Sequence, residues 1–211
     1  MNLGVRCTAE IESALHRQGY RRVAGLDEAG RGCLFGPVCA AAVIFAPGGQ
    51  RVKGLADSKT LDARERERLS EAIRACAAAW AVGWASAAEI DRINIREASR
   101  LAMRRAVEAL DPPPDYLLVD ALTIGLPLPQ QALIKGDARV EAIAAASILA
   151  KTVRDARMRE LEAEYPGYGL ARHKGYGTAE HLRALDHLGL TPLHRRSFAP
   201  VRERLQGRLA P

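Results

Sequence analysis

Paired metal-binding cysteines are missing. The four cysteines, Cys7, Cys33, Cys39 and Cys76, make no CxxC pair and no CxxC/HxxxH spacing, which excludes a structural zinc site and suits free thiols in a reducing cytoplasm. The opening MNLGVRCTAE has no apolar signal core and no run of the chain is long enough to span a bilayer, so a soluble, cytoplasmic protein without a membrane partner is expected. Internal repeats and low-complexity tracts are absent as well. What is present is 211 residues that are 48% hydrophobic, enough for one sizeable core and a single domain with a small appendage. An excess of 31 Lys+Arg over 25 Asp+Glu, a formal charge of +6, favours a polyanionic partner but also suits an ordinary basic enzyme.

Residues 8–18 carry a short helical pattern, with Ile11 and Leu15 four apart. Strands are expected over 22–27 and 38–45, joined by a turn holding Gly30, Gly32 and Gly36 and therefore antiparallel neighbours. Helical periodicity follows over 61–79, with Leu69, Ile73 and Cys76 on one stripe, and strand character returns over 80–85. A helix is expected over 95–110, stopped by Asp111 and the prolines 112–114. Short strands are expected over 116–120 and 131–134, the latter leading into a Lys135-Gly136-Asp137 turn. The longest helical pattern covers 139–164, and a last helix starts near Thr178, a good N-cap. The tail 199–211 is short and basic, with nothing in its pattern to order it. Strands in the first half and helices alternating later predict an α/β class, a mixed sheet covered by helices.

The acids fall at strand ends and turns: Asp27-Glu28 after the first strand, Asp120 after YLLVD, Asp137 in a glycine turn. Strand ends of a helix-covered sheet open to solvent, so carboxylates from distant segments can converge there. Converging carboxylates repel unless a cation lies among them. A hard cation such as Mg²⁺ or Mn²⁺ meets that need and also binds phosphate oxygens, which is the chemistry of a two-metal nuclease. Asp27 and Glu28 alternate faces, so sharing a site requires the strand to twist or break, and Gly30 is the expected break. Taken singly, each acid is more often a solvated loop residue or a helix cap. Gly30-x-Gly32 after a strand hints at a dinucleotide site, but Pro37 and a β-rich run follow where that motif wants a helix.

These residues resemble the ribonuclease HII family. The resemblance rests on Gly25-Leu26-Asp27-Glu28-Ala29-Gly30-Arg31-Gly32 with Gly36-Pro37-Val38, then Asp57-Ser58-Lys59 with Leu61, Val119-Asp120, Lys135-Gly136-Asp137, the block 144–151 (AAASILAK), 173–178 (HKGYGT) and 194–198 (HRRSF), in the family's order from about Tyr20 to Val201. It implies a ribonuclease H-like mixed β-sheet flanked by helices with a C-terminal helical portion, divided as a lead-in 1–19, a catalytic domain 20–201 and a basic tail 202–211. It further implies Mg²⁺ or Mn²⁺ held by Asp27, Glu28, Asp120 and Asp137. The implied reaction is cleavage on the 5′ side of ribonucleotides in RNA–DNA hybrids or in duplex DNA, leaving 3′-hydroxyl and 5′-phosphate ends.

In the family pattern the Gly30-Arg31-Gly32 loop approaches the minor groove, its backbone sensing the 2′-hydroxyl while Arg31 faces phosphate. Tyr176 matches the aromatic that stacks on the neighbouring sugar. Lys59, Lys174, Arg195 and Arg196 are expected at phosphates and Ser147 at the substrate, although each basic residue alone reads as a solvated surface charge. Asp155, one helical turn from Lys151 and two from Ser147, is a rival fourth acid expected to act from behind the ligands or structurally. Cys33, Phe35 and Ala121 depart from the family pattern, which leaves the loop's shape open. A related nuclease for junctions or DNA ends, and a non-catalytic nucleic-acid-binding module, are the alternatives. A monomer is expected.

Overall fold

The computed structural model describes residues 7–209; the first six residues of the lead-in and the last two of the tail lie outside the described residues. Five strands form one sheet of order β3-β2-β1-β4-β5: β1 Val23–Ala29, β2 Val38–Ile44, β3 Ala79–Ala85, β4 Tyr116–Asp120 and β5 Gln130–Leu133. Strands β1, β2 and β3 are antiparallel neighbours, whereas β4 lies parallel to β1 and β5 parallel to β4. This is the mixed sheet expected. The last strand lies one residue earlier than its pattern suggested, because Leu133 is buried and Ile134 is 76% exposed.

Seven helices surround the sheet among the described residues: α1 Glu10–Arg17, α2 Ala63–Cys76, α3 Ala87–Glu108, α4 Glu141–Glu164, α5 Leu170–His173, α6 Ala179–Leu188 and α7 Ala199–Leu209. Period-two alternation sorts the strands' side chains. Leu26, Ala40 and Ala42 pack with Ala98, Ala102 and Met103 of α3 on one face, and Ala41 and Val43 pack with Ala145 and Leu149 of α4 and Leu69 and Ile73 of α2 on the other. Gly25 lets α4 approach β1 closely, since a Cβ there would overlap the Ala142 backbone.

Two expectations are corrected. The helix read over 95–110 begins eight residues earlier, at Ala87, behind a capping box formed by Ser86 and Glu89. It kinks at Asn94 (φ 67°), whose side chain accepts from the N–H groups of Arg96 and Glu97 and restarts the helix there. The tail is helical as α7, because Val201 is fully buried in a cluster with Phe35, Tyr168 and Leu185. That cluster joins α4, α5, α6 and α7 to the loop after β1, so the C-terminal helices form one side of the site. The break expected at Gly30 falls there: β1 pairs with β2 through Ala29, and the chain turns at Gly30 (φ 93°).

Candidate active site

Parallel pairing of β1 with β4 places Leu26 opposite Val119, so that Asp27 and Asp120 stand one residue further along two neighbouring strands. Asp27 faces α4, where Ser147, hydrogen-bonded to Ser58 (2.9 Å), lies against it. Glu28 takes the opposite side and is held by Arg31 Nη1 (2.9 Å). The 3₁₀ turn Gly136–Ala138 brings in Asp137, and the Gly136 N–H donates to Asp120 Oδ1 (2.7 Å), fastening that turn to the end of β4. Asp27, Glu28 and Asp137 are thus each near enough to Asp120 to feel its charge.

The electrostatics follow this geometry. Burial, reinforced by Glu28 and Asp120, pushes the Asp27 carboxyl well above the usual range, against the hydrogen bonds from Ser147 and the Glu28 N–H. Glu28 is raised by burial and by Asp120, with Arg31 opposing. Asp137 is raised by burial, Asp57 and Asp120, with Lys59 opposing. Desolvation is the largest single influence on Lys59 and lowers it, but Asp57, Asp137, Asp27 and Asp120 together hold its ammonium above the ordinary value. One buried oxygen, Glu28 Oε2, has no hydrogen-bond partner.

Such a set suits a hard divalent cation: oxygen donors that raise one another's pKa, and a buried carboxylate oxygen without a donor. Among the described residues no three acidic, histidine or cysteine side chains close into a ready-made cage. The carboxylates instead take protein partners: Asp120 accepts from Gly136, Glu28 accepts from Arg31, and Asp137 forms an ion pair with Lys59 (3.8 Å).

Beside the acids, the turn after β1 is braced from below by two buried arginines. Arg154 of α4 donates to the carbonyls of Pro37 (3.1 Å), Lys174 (2.9 Å) and Phe35 (3.2 Å). Gly30, at φ 93°, leaves room for it, because a Cβ there would overlap the Arg154 side chain. Arg195 donates to the carbonyls of Gly36 and Arg31 (both 2.9 Å). It is fully buried, which corrects its expected place at a phosphate: the guanidinium is spent on the loop's backbone. Ser147 is likewise buried, and it supports Asp27 where a substrate contact was expected.

The remaining expected residues lie closer to solvent. Arg31 and Gly32 are exposed at the loop's tip and Gly30 is buried beneath it. Lys59 is exposed but turned to the acids. Tyr176 is 42% exposed, and it pairs with Cys33 across an isolated antiparallel bridge. Lys151 lies 5.8 Å from the centre of its ring. A groove of about 560 Å³ opens next to it, lined among others by Arg66, Lys151, Arg159, Arg172 and Lys174. Asp155 lies there too, paired with Lys151 (2.7 Å), and it is not among the acids coupled through Asp120. Arg196 is exposed, its N–H donated to Asp91. Asp57, Arg154 and Cys33 are the contributors that the residue pattern did not single out. Asp57 stood in a recognised block, whereas nothing in a helical sequence marks Arg154 as buried.

A five-stranded sheet of this order, with acids at the adjoining ends of its two central parallel strands, defines a ribonuclease H-like protein. The solved ribonuclease H2 from Pyrococcus horikoshii OT3 has the same fold, with a TM-score of 0.76 at 24% identity over 88% of this chain and 98% of that one. Relationship in sequence is more specific. The family model for ribonuclease HII matches residues 24–201. Ribonuclease HII of Geobacillus kaustophilus (strain HTA426) is 58% identical over 195 residues, 92% of this chain and 75% of that protein. Ribonuclease HII of Myxococcus xanthus (strain DK1622) is 58% identical over 203 residues, 95% of this chain and 69% of that protein. The chain belongs to the ribonuclease HII family and is an endoribonuclease of the ribonuclease H type, a divalent-metal-dependent class that acts on RNA-containing nucleic acid. Among the described residues no helix is long and apolar enough to cross a membrane.

Proposed function

We propose that the enzyme hydrolyses the phosphodiester 5′ of a ribonucleotide, in an RNA–DNA hybrid or as a single unit embedded in duplex DNA, leaving 3′-hydroxyl and 5′-phosphate ends. Asp27, Glu28, Asp120 and Asp137 would hold Mg²⁺ or Mn²⁺. Two such ions, when bound, supply charge neutralisation and Lewis acidity to an in-line displacement at phosphorus. The observation that carries this reading is the convergence on Asp120: Asp27 and Glu28 from the end of β1, and Asp137 from the 3₁₀ turn, each feel its charge.

Recognition is assigned to the rim. The exposed Arg31-Gly32 tip is bare enough for backbone groups to approach a minor groove, with Arg31 free to meet phosphate once Glu28 has another partner. Tyr176 offers a half-open ring beside that tip for stacking on a sugar. Lys174 and Arg196 supply charge along the duplex, and the basic groove next to Tyr176 gives its backbone a path. Arg154 and Arg195 touch no substrate; they keep the tip in place.

Matched duplexes with zero, one and four ribonucleotides, each incubated with Mg²⁺, with Mn²⁺ and with EDTA, test the proposal. Nicks at the 5′ side of the ribonucleotides are expected with either metal, and none in the all-DNA duplex or with EDTA. Cutting of the all-DNA duplex would favour a junction or end nuclease, and salt-sensitive binding without any cut would reduce the protein to a binding module.

A further inference from the structure

Three buried histidines lie directly beneath the Tyr176 loop, and the reaction as described uses none of them. His194 is 1% exposed, His181 is fully buried and His173 is 9% exposed. His194 Nδ1 accepts from the Thr191 N–H (2.9 Å), its Nε2 faces His181 Nε2 (3.2 Å), and His181 Nδ1 lies 2.9 Å from the Tyr176 carbonyl oxygen. His173 stacks on His181, with centroids 4.6 Å apart and planes at 17°. It accepts from the Gly175 N–H through Nδ1 (3.2 Å) and meets the Tyr168 carbonyl through Nε2 (2.7 Å).

The ends of the chain settle where its protons are. A peptide N–H can only donate, so His194 Nδ1 is bare; a carbonyl oxygen can only accept, so His181 Nδ1 carries hydrogen. Two neutral imidazoles hold two N–H protons between them. One is on His181 Nδ1, which leaves the other on His194 Nε2, pointing at the bare Nε2 of His181. Every nitrogen is then matched, whereas the reverse arrangement would set two donors face to face at the Thr191 end and two acceptors face to face at the Tyr176 end. By the same logic His173 keeps its proton on Nε2. The sequence runs one way only, from the Thr191 turn through two rings to the backbone of Tyr176.

We propose that His194 and His181 form a hydrogen-bond relay of fixed polarity that positions Tyr176, making them specificity-setting residues of the second rank that touch no substrate. Tyr176 is exposed, and its loop contains left-handed Lys174 and Gly175 (φ 53° and 84°), so its place depends on such tethers. The bridge to Cys33 and the relay both hold its main chain. The proposal rests on the reading of Tyr176 as the residue that stacks on the sugar.

Side-chain amides can imitate one ring nitrogen at a time. At position 181, Asn can place an N–H donor where Nδ1 is, keeping the bond to the Tyr176 carbonyl. Gln reaches the Nε2 position instead and loses that bond. His181→Asn should therefore keep most of the preference for a duplex with one ribonucleotide, while His181→Gln should lower kcat/KM on it by about tenfold, the effect of one lost buried hydrogen bond. Binding of an all-DNA duplex should be unchanged in both. Equal losses in the two variants would overturn the relay.

A readout on the unmodified protein stands apart from activity. Nitrogen-15 imidazole spectra at neutral pH should show His194 protonated on Nε2 and His181 on Nδ1, with scalar coupling between their two Nε2 atoms. Opposite tautomers, or an imidazolium at either residue, would end the proposal even if both variants fail to fold. Should the unmodified enzyme show these tautomers and yet cut no ribonucleotide, the assignment of the reaction falls, and so does the role given to the relay, while its hydrogen-bond polarity stands.

Discussion

Asp120 is coupled to Asp27, Glu28 and Asp137, and it also receives the Gly136 N–H that fixes the turn bearing Asp137. Asp120→Asn keeps Oδ1 as an acceptor for Gly136 but removes the central charge. Turnover on a single-ribonucleotide duplex should fall by about a thousandfold or more while the dissociation constant for that duplex moves little, a loss confined to the transition state. Near-normal turnover would take Asp120 out of the site. Gly30 tests the loop in the same way. A Cβ there meets Arg154 in a left-handed backbone, so Gly30→Ala should cost more than about 1 kcal/mol in thermal or urea unfolding. Its kcat/KM should drop by about tenfold or more; unchanged kcat/KM would separate the tip from the substrate.

Helix α1 looks like a peripheral lead-in, yet it completes α4. The N-cap of α4, Val140, has no side-chain oxygen to offer, and Glu12 Oε1 accepts from the Ala142 N–H (3.0 Å) across 130 residues of chain. Its other oxygen is buried without a partner. Glu12→Ala loses the cap and should lower the melting temperature by roughly 2–4 °C, equivalent to about 1 kcal/mol for a chain of this size. Glu12→Gln keeps an acceptor and discards a buried charge, so it should be neutral or stabilising; identical melting curves for the two would dismiss the cap. At this scale the sequence was most readable where a local signal existed. Strands β1 to β5 and helices α1, α2, α4 and α6 stood close to their patterns because alternation, periodicity and Thr178 mark them. The first half of α3 was missed although Ser86 and Glu89 announce it, since Asn94 interrupts the periodicity that follows. Helix α7 was unreadable because its order comes from burying Val201 against residues far away in sequence. The acids were legible as types at strand ends. Their meeting at Asp120 depends on the parallel register of β1 and β4, which no local pattern encodes.

Taken whole, the molecule carries opposite acid–base stresses in its buried acids and its buried histidines. The buried acids Asp27, Glu28 and Asp137 are raised above ordinary values of 3.8 to 4.5. Their favourable contribution is full below those values and is lost as pH rises through the raised ones. His194 runs the other way: burial and His181 depress it from 6.5 to about 3, so its contribution is full above 6.5 and is lost as pH falls toward 3. Metal-free protein should therefore melt highest at an intermediate pH. Millimolar Mg²⁺ should raise the melting temperature more at pH 8 than at pH 5, because it binds the ionised acids. Calorimetric scans over that range would check it, and a gain independent of pH would argue that Mg²⁺ binds elsewhere.

The hydrogen bonds of the two arginine braces all go to main-chain oxygens: those of Arg31, Phe35, Gly36, Pro37 and Lys174. Every residue type has such an oxygen, so apart from its glycines the hold itself places no demand on the side chains of the gripped stretch. The exposed Arg31 lies inside that tolerance, whereas Cys33, Leu34 and Phe35 are buried and held by their own packing. The recognition tip can thus be retuned by substitution while its anchorage stays as it is.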